Sequence, residues 1–210
     1  MPGQKAAVGE RRAQILAAAI QVAAAGGLDD LTIQRVAAVA GLSHGLVHFH
    51  FKTKQELLSA LLDHVLHATA ASEAVPPAAR SDAPLDELLA VMRSEMARLT
   101  ADAEITRLFF DFSVMGARSR PIRMRMSAEL ARYRRAFRPL VKRVLESEPG
   151  RFVCVTADGL WAVVVAFIKG SALQSVIDPR GFDASGFLAA SSALLAQIES
   201  SASGSQSLSV

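Results

Sequence analysis

The chain has 210 residues, 51% of them hydrophobic and 20% charged, with a formal net charge of +3 and an isoelectric point near 9.4. That apolar content is ample for a buried core, in one domain of ordinary size or in a small domain fused to a larger one. No charge-free apolar run of about 18 residues occurs, the richest segment being 152–168 with Thr156 and Asp158 inside it, so a membrane span is not expected.

The first residues, MPGQKAAVGERR, lack the apolar stretch of a secretory signal, and a cytoplasmic protein is the expectation. Arg12, Ile15, Leu16, Ala18, Ala19 and Val22 follow a helical period that stops at Gly26 and Gly27. A second helix opens at Thr32, whose hydroxyl can take an orphan backbone N–H, and carries Ile33, Val36, Ala37 and Ala40 on one face. Gly41 stands where a left-handed terminating residue is needed, Leu42 turns back to the core, and Ser43 caps a short third helix. In that helix Leu46 and Val47 are apolar, while Ser43, His44, Gly45 and His48 offer short polar groups and bare backbone outward. Residues 53–71 form a helix with Leu57, Leu58, Leu61, Leu62, Val65 and Leu66 inward, and three prolines between Ala74 and Pro84 break it. Amphipathic helices are expected over 85–99 and 103–115, then a long one over 121–145 that Pro139 should kink or split near Phe137. Cys154, the single cysteine, sits between Val153 and Val155, which points to a buried structural thiol in a reducing compartment. Segments 152–176 and 183–198 complete the chain around an Asp178-Pro179-Arg180-Gly181 turn, and the tail from Ser200 is polar and flexible by composition. The fold class is therefore all-α, a three-helix head joined to a larger helical part, with about nine helices in total.

Two helices around a tight glycine turn make a helix-turn-helix, which sets its second helix in the major groove of DNA while the first crosses the backbone. By periodicity alone, a helical hairpin inside an ordinary bundle fits as well. The wider string is more specific: RxxILxAA from Arg12 to Ala19, Gly27 five residues before Thr32, AGLS from Ala40 to Ser43, and HFHFKTKQELL from His48 to Leu58. It resembles the TetR family of bacterial transcriptional regulators, departing from it at Ala23, where the family often has a large aromatic, and at His48, where it commonly has tyrosine. The resemblance implies a DNA-binding domain over 1–52, an effector-binding and dimerisation domain over 53–199, and a flexible tail over 200–210. It also implies a homodimeric repressor that binds double-stranded DNA at a palindromic operator and is released by a small-molecule effector. Thr32 and Lys54 are expected to hold phosphates at helix N-termini, with Arg35 on the same surface and Phe49 near the DNA backbone. Ser43, His44, Gly45, Leu46 and His48 are expected to approach the bases.

Met92, Met96, Phe109, Phe110, Phe112, Met115 and Trp161 are soft or aromatic side chains that suit either an apolar pocket or a plain core. The resemblance favours an effector pocket for the group as a whole. The last two helices carry more apolar surface than one packing partner needs, and Trp161, Val164, Ile168, Leu188 and Leu195 are the expected dimer contacts. DGLW at 158–161, with Asp178, Pro179, Phe182 and Asp183 beyond it, also resembles the C-terminal domain of the choline-responsive betaine repressors within that family. This second likeness does not carry choline over as the effector.

Charge is unevenly spread: residues 1–70 hold six Lys and Arg against five acids, whereas 118–143 holds ten against Glu129 alone. That segment suits a second anion-binding surface or a solvated face whose acids lie on neighbouring helices. His44 and His48 have the i, i+4 spacing of a metal pair, yet no third ligand completes a signature, so no metal or other cofactor is expected. GxSxG, HExxH, Walker and dinucleotide signatures are all missing, which argues against an enzyme. A non-catalytic helical interaction protein is the remaining alternative, and it would leave the polar edge from Ser43 to His48 without purpose.

Overall fold

The computed structural model describes residues 2–70, 82–147, 152 and 155–196. Among these residues the regular structure is helical throughout: α1 (Pro2–Gly26), a 3-10 turn (Leu28–Asp30), α2 (Ile33–Ala40), α3 (His44–His50), α4 (Lys54–Ala68), α5 (Pro84–Ala101), α6 (Ala103–Arg118), α7 (Arg120–Ser147), α8 (Ala157–Ile177) and α9 (Ala184–Ala196). The all-α expectation with nine helices holds for the described residues.

Local chemistry explains the boundaries of the head. Thr32 Oγ1 accepts the Arg35 N–H at 3.2 Å and Ser43 Oγ accepts the Leu46 N–H at 3.2 Å, so α2 and α3 both start on hydroxyl caps. Gly41 has φ 65°, and the Leu42 N–H reaches back to the Ala37 carbonyl at 3.0 Å, a left-handed glycine stop that a side chain at this position would strain. Thr53 Oγ1 caps α4 through the Glu56 N–H at 3.1 Å, while the Glu56 carboxylate takes the Lys52 N–H at 2.8 Å. Each such cap contributes about 1 kcal/mol.

Three sequence expectations differ from what is found. The first helix begins at Pro2, ahead of Arg12, and the eighth at Ala157 behind a Thr156 cap, not at 152. Pro139 does not split α7, which runs unbroken to Ser147; Pro139 and Arg135, whose carbonyl loses its i+4 donor, both belong to the exposed side of the helix. Cys154, Ile198 and the tail lie outside the described residues.

The chain divides into two compact units. The first comprises residues 1–70 and 102–129, with a core of Ile15, Ala19, Val36, Val47, Leu57, Leu61, Leu108 and Phe112. Helices α4 and α6 thus share a core with the three helices of the head. The second comprises 71–101 and 130–210 and packs Leu88, Met92, Met96, Tyr133, Phe137, Val141, Val164 and Ile168 together.

By length and hydropathy α8 could cross a bilayer, but Leu160, Trp161, Val164, Val165, Ile168 and Ala172 are buried in the core of its own unit. This corrects four of the five residues expected to meet a second copy, Leu188 apart. Val164 and Ile168 have no exposed surface and Trp161 and Leu195 almost none, so they serve the chain's own interior; Leu188 is half-buried. The apolar surface left open is a different stripe, with Val163, Ala166, Leu173 and Ile177 on α8 and Ala190 and Leu194 on α9. On a helix apolar all round, periodicity cannot tell the inner face from the outer.

Candidate nucleic-acid interface

Three short-range devices hold α3 against α2 and α1. Val47 is fully buried beneath α3, the Gln14 amide of α1 donates to the Ala40 carbonyl at the end of α2 at 3.0 Å, and Arg12 donates to the His50 carbonyl at 3.3 Å. The Arg12 guanidinium also lies 4.3 Å from the centre of the Phe51 ring. With the inner side fixed, Ser43, His44, Gly45, His48 and Phe49 face outward, and Leu46 is half-buried. A Cβ built on Gly45 would meet nothing within 4 Å, so the glycine answers no packing need inside the chain. His44 and His48 stack with ring centroids 6.1 Å apart, and Phe49 is 64% exposed, a large aromatic left without cover.

The cations of this face are held by the turn between α1 and α2. Lys54 Nζ donates to the Asp29 carbonyl at 3.0 Å, which positions its charge without neutralising it. Arg35 pairs with Asp30, and Thr32, exposed beside them, caps α2 with its hydroxyl. Gly26 leaves room for the Asp30 carboxylate in the same turn, since a Cβ there would displace that side chain. Lys52, close to the Phe49 ring at 5.0 Å, is a further cation on this face that spacing alone does not single out. No third His, Cys, Asp or Glu side chain joins His44 and His48 among the described residues.

The residues expected to line an effector pocket fall in two different cores. Met92, Met96 and Trp161 are buried in the second unit, whereas Phe109 and Phe112 are buried in the first, with Phe110 and Met115 packed against that same core. A groove of about 460 Å³ in the first unit, lined by Gln21, Val22, Asp30, Arg35, Ala38 and Val39 among others, contains none of them. The second unit instead holds a polar network that the sequence reading missed. Glu95, 2% exposed, accepts from Tyr133 Oη at 2.8 Å and from Arg98 Nη2 at 2.7 Å, and the buried Glu87 carboxylate takes Arg143 Nη2 at 2.5 Å. Burial, then the neighbouring Glu95 carboxylate, hold the Tyr133 phenol well above the usual tyrosine range. The signal was present: Leu88, Val91, Met92, Glu95, Met96 and Leu99 form one helical stripe, and a glutamate on it must be buried with partners.

The arginine-rich stretch 118–143 is partly absorbed by its neighbours. Arg125 binds Ser59 and Asp63 of α4, Arg143 binds Glu87, Lys142 pairs with Glu146, and Arg134 stacks on Trp161. Basic residues with acids on other helices describe Arg125 and Arg143, whereas Lys142 finds its acid on α7 itself.

A capped, glycine-turned helix pair with a bare outer face defines the head as the helix-turn-helix of a transcriptional regulator. The chain belongs to the TetR family of bacterial transcriptional regulators: residues 15–61 match the family's regulatory-protein model, and 84–199 match that of the BetI-type transcriptional repressor C-terminal domain. Members of this family regulate transcription and are not enzymes. The HTH-type transcriptional regulator BetI of Burkholderia thailandensis is 34% identical over 102 residues, 49% of this chain and 52% of that protein, so the match spans about half of the curated relative's length. A regulator from Saccharomonospora viridis, solved in complex with choline, superimposes with a TM-score of 0.72 at 18% identity over 90% of this chain and 97% of the other. FadR of Bacillus subtilis, solved with stearoyl-CoA, does so with a TM-score of 0.63 at 17% identity over 89% and 97%. At such identities the two structures establish the fold.

Proposed function

We propose that this chain is a homodimeric, cytoplasmic repressor that binds a palindromic operator in double-stranded DNA and is released by a small-molecule effector. The observation that carries the reading is the outer face of α3, where Ser43, His44, Gly45 and His48 stand exposed on a helix pinned from beneath, with Gly45 open to close approach. Thr32, Arg35 and Lys54 flank that face as phosphate contacts, and Phe49 packs along the DNA backbone. In functional terms residues 1–52 are the DNA-binding domain, 53–199 the effector-binding and dimerisation domain, and 200–210 a tail.

Two heads must match a two-fold operator, and the open apolar stripe of Val163, Ala166, Leu173, Ile177 and Leu194 is the surface on which two copies join. The bound choline and stearoyl-CoA of the two structural neighbours support an effector-responsive role for the chain. An effector releases DNA only if it binds one arrangement of the heads better than the other.

Sequencing the DNA fragments retained by the purified full-length protein tests this directly. A two-fold symmetric site with half-sites about one helical turn apart is the expected result. Lys54→Ala should then weaken binding to every sequence and reduce the salt slope by about 1. Recovery of unrelated fragments without any shared site would remove operator recognition from the reading.

A further inference from the structure

Within the second unit, Trp161 is 9% exposed, and its indole Nε1–H is a buried donor with no hydrogen-bond partner. Leaving such a donor unpaired is costly, and a buried donor without a partner in a ligand-responsive fold is a natural place for a ligand acceptor. The Arg134 guanidinium lies over the same ring, 4.4 Å from its centre, and makes no ion pair with any described residue. Lys169 covers the Tyr133 ring at 5.1 Å, and the buried Glu95 carboxylate is already bound by Arg98 and the Tyr133 hydroxyl. The Trp161 and Tyr133 ring faces are therefore occupied by the chain's own cations, and the buried Glu87 and Glu95 carboxylates of this unit are bound by Arg143 and by Arg98 with Tyr133. What the Trp161 ring leaves on offer is a donor and a positive charge.

We infer that the effector carries an anionic acceptor group, a carboxylate being the simplest, which takes the Trp161 indole N–H and pairs with the Arg134 guanidinium. The inference rests on the effector-responsive reading above and deepens it by fixing the sign and the hydrogen-bonding character of the ligand. Trp can only donate at Nε1, so neither an ammonium nor a hydrocarbon ligand relieves it. A carboxylate at a guanidinium gains a charge-assisted, two-point contact, and the low local dielectric strengthens it. A ligand seated here would touch α7 and α8 at once, through Arg134 on the first and Trp161 on the second.

Trp161 is the only tryptophan of the chain, so its emission reports on the contact itself. The full-length protein is titrated with octanoate and phenylacetate, and in parallel with octyltrimethylammonium as the matched cation. The expected result is a saturable red shift with a carboxylate and none with the cation. Arg134→Gln, at an exposed position, should lower carboxylate affinity about tenfold by the same emission. Trp161→Phe, followed by calorimetry with its fold checked by circular dichroism, should lower it by a comparable factor. A response to the cation alone, no response to any probe, or carboxylate affinity unchanged in both variants overturns the inference. A gel shift of the ligand-free protein, run alongside, keeps the two readings apart: operator binding without a carboxylate response rejects the effector chemistry alone, and loss of operator binding rejects the regulator reading.

Discussion

Among the described side chains of residues 8–70 the buried ones are hydrocarbon from Ile15 to Leu66, with Thr69 the one polar exception, whereas α5 and α7 bury the carboxylates of Glu87 and Glu95 and the Tyr133 phenol among leucines and valines. Thr69 returns its hydroxyl to the Val65 carbonyl of its own helix at 2.8 Å. Glu95 needs Arg98 and, from another helix, Tyr133. The head keeps its polar chemistry outside, where a partner as large as DNA can reach it. The second unit keeps polar chemistry inside, where only a small molecule can.

The largest test of that contrast is Glu95→Ala set against Thr69→Val. Removing the carboxylate strands the phenol and part of the Arg98 charge in the interior, and the cost should be about 3 kcal/mol by chemical denaturation. Thr69→Val should stay within about 1 kcal/mol, because the Val65 carbonyl keeps its bond from the Thr69 backbone N–H. Equal losses at the two positions would mean that the Glu95 network is no more than another patch of core.

Alkaline titration sharpens the same point. Burial first, and the adjacent Glu95 carboxylate second, raise the Tyr133 phenol above its unfolded value. A raised folded value means stability that is complete below about pH 10, the unfolded value, and is lost as pH climbs beyond it, by up to about 1.4 kcal/mol per pH unit. Tyr133 is the sole tyrosine, so tyrosinate absorbance reads it alone. The signal should rise together with loss of helical circular dichroism, and Tyr133→Phe should remove the alkaline instability. Ionisation near pH 10 with the helices intact would put the phenol in contact with water.

What was legible in the sequence divides along the same line. Thr32, Gly41 and Ser43 act on partners within five residues, so their spacing alone fixed both ends of α2 and the start of α3. The Tyr133 contact with Glu95 spans 38 residues and the Arg143 contact with Glu87 spans 56, distances over which one sequence carries no pairing signal. Glu95 could be flagged as buried from its stripe, but not matched to a phenol. The apolar-pocket set divides for a related reason: Met96 and Phe109 are close in the chain but belong to different cores. Trp161, Val164 and Ile168 were expected on the wrong face because α8 is apolar on both faces, and only packing shows that Val164 looks inward while Val163 is exposed.

The smallest effect falls on the head, and its value lies in its sign. Gly45 sits inside α3 with open space where a Cβ would be, so Gly45→Ala should stabilise the fold by about 0.5 to 1 kcal/mol through helix propensity. On a surface with no partner the glycine would have no other role, and the substitution would be purely favourable. If the face meets DNA, the added methyl pushes the backbone and the flanking His44 and His48 away from the groove, and affinity should fall about tenfold while the melting temperature rises. Thermal melting and gel shift on the same preparation give the two signs together. Opposite signs identify Gly45 as a close-approach residue of the reading helix; a rise in both would make the exposed face of α3 an ordinary solvated surface and leave Lys54 and Thr32 to carry whatever DNA contact exists.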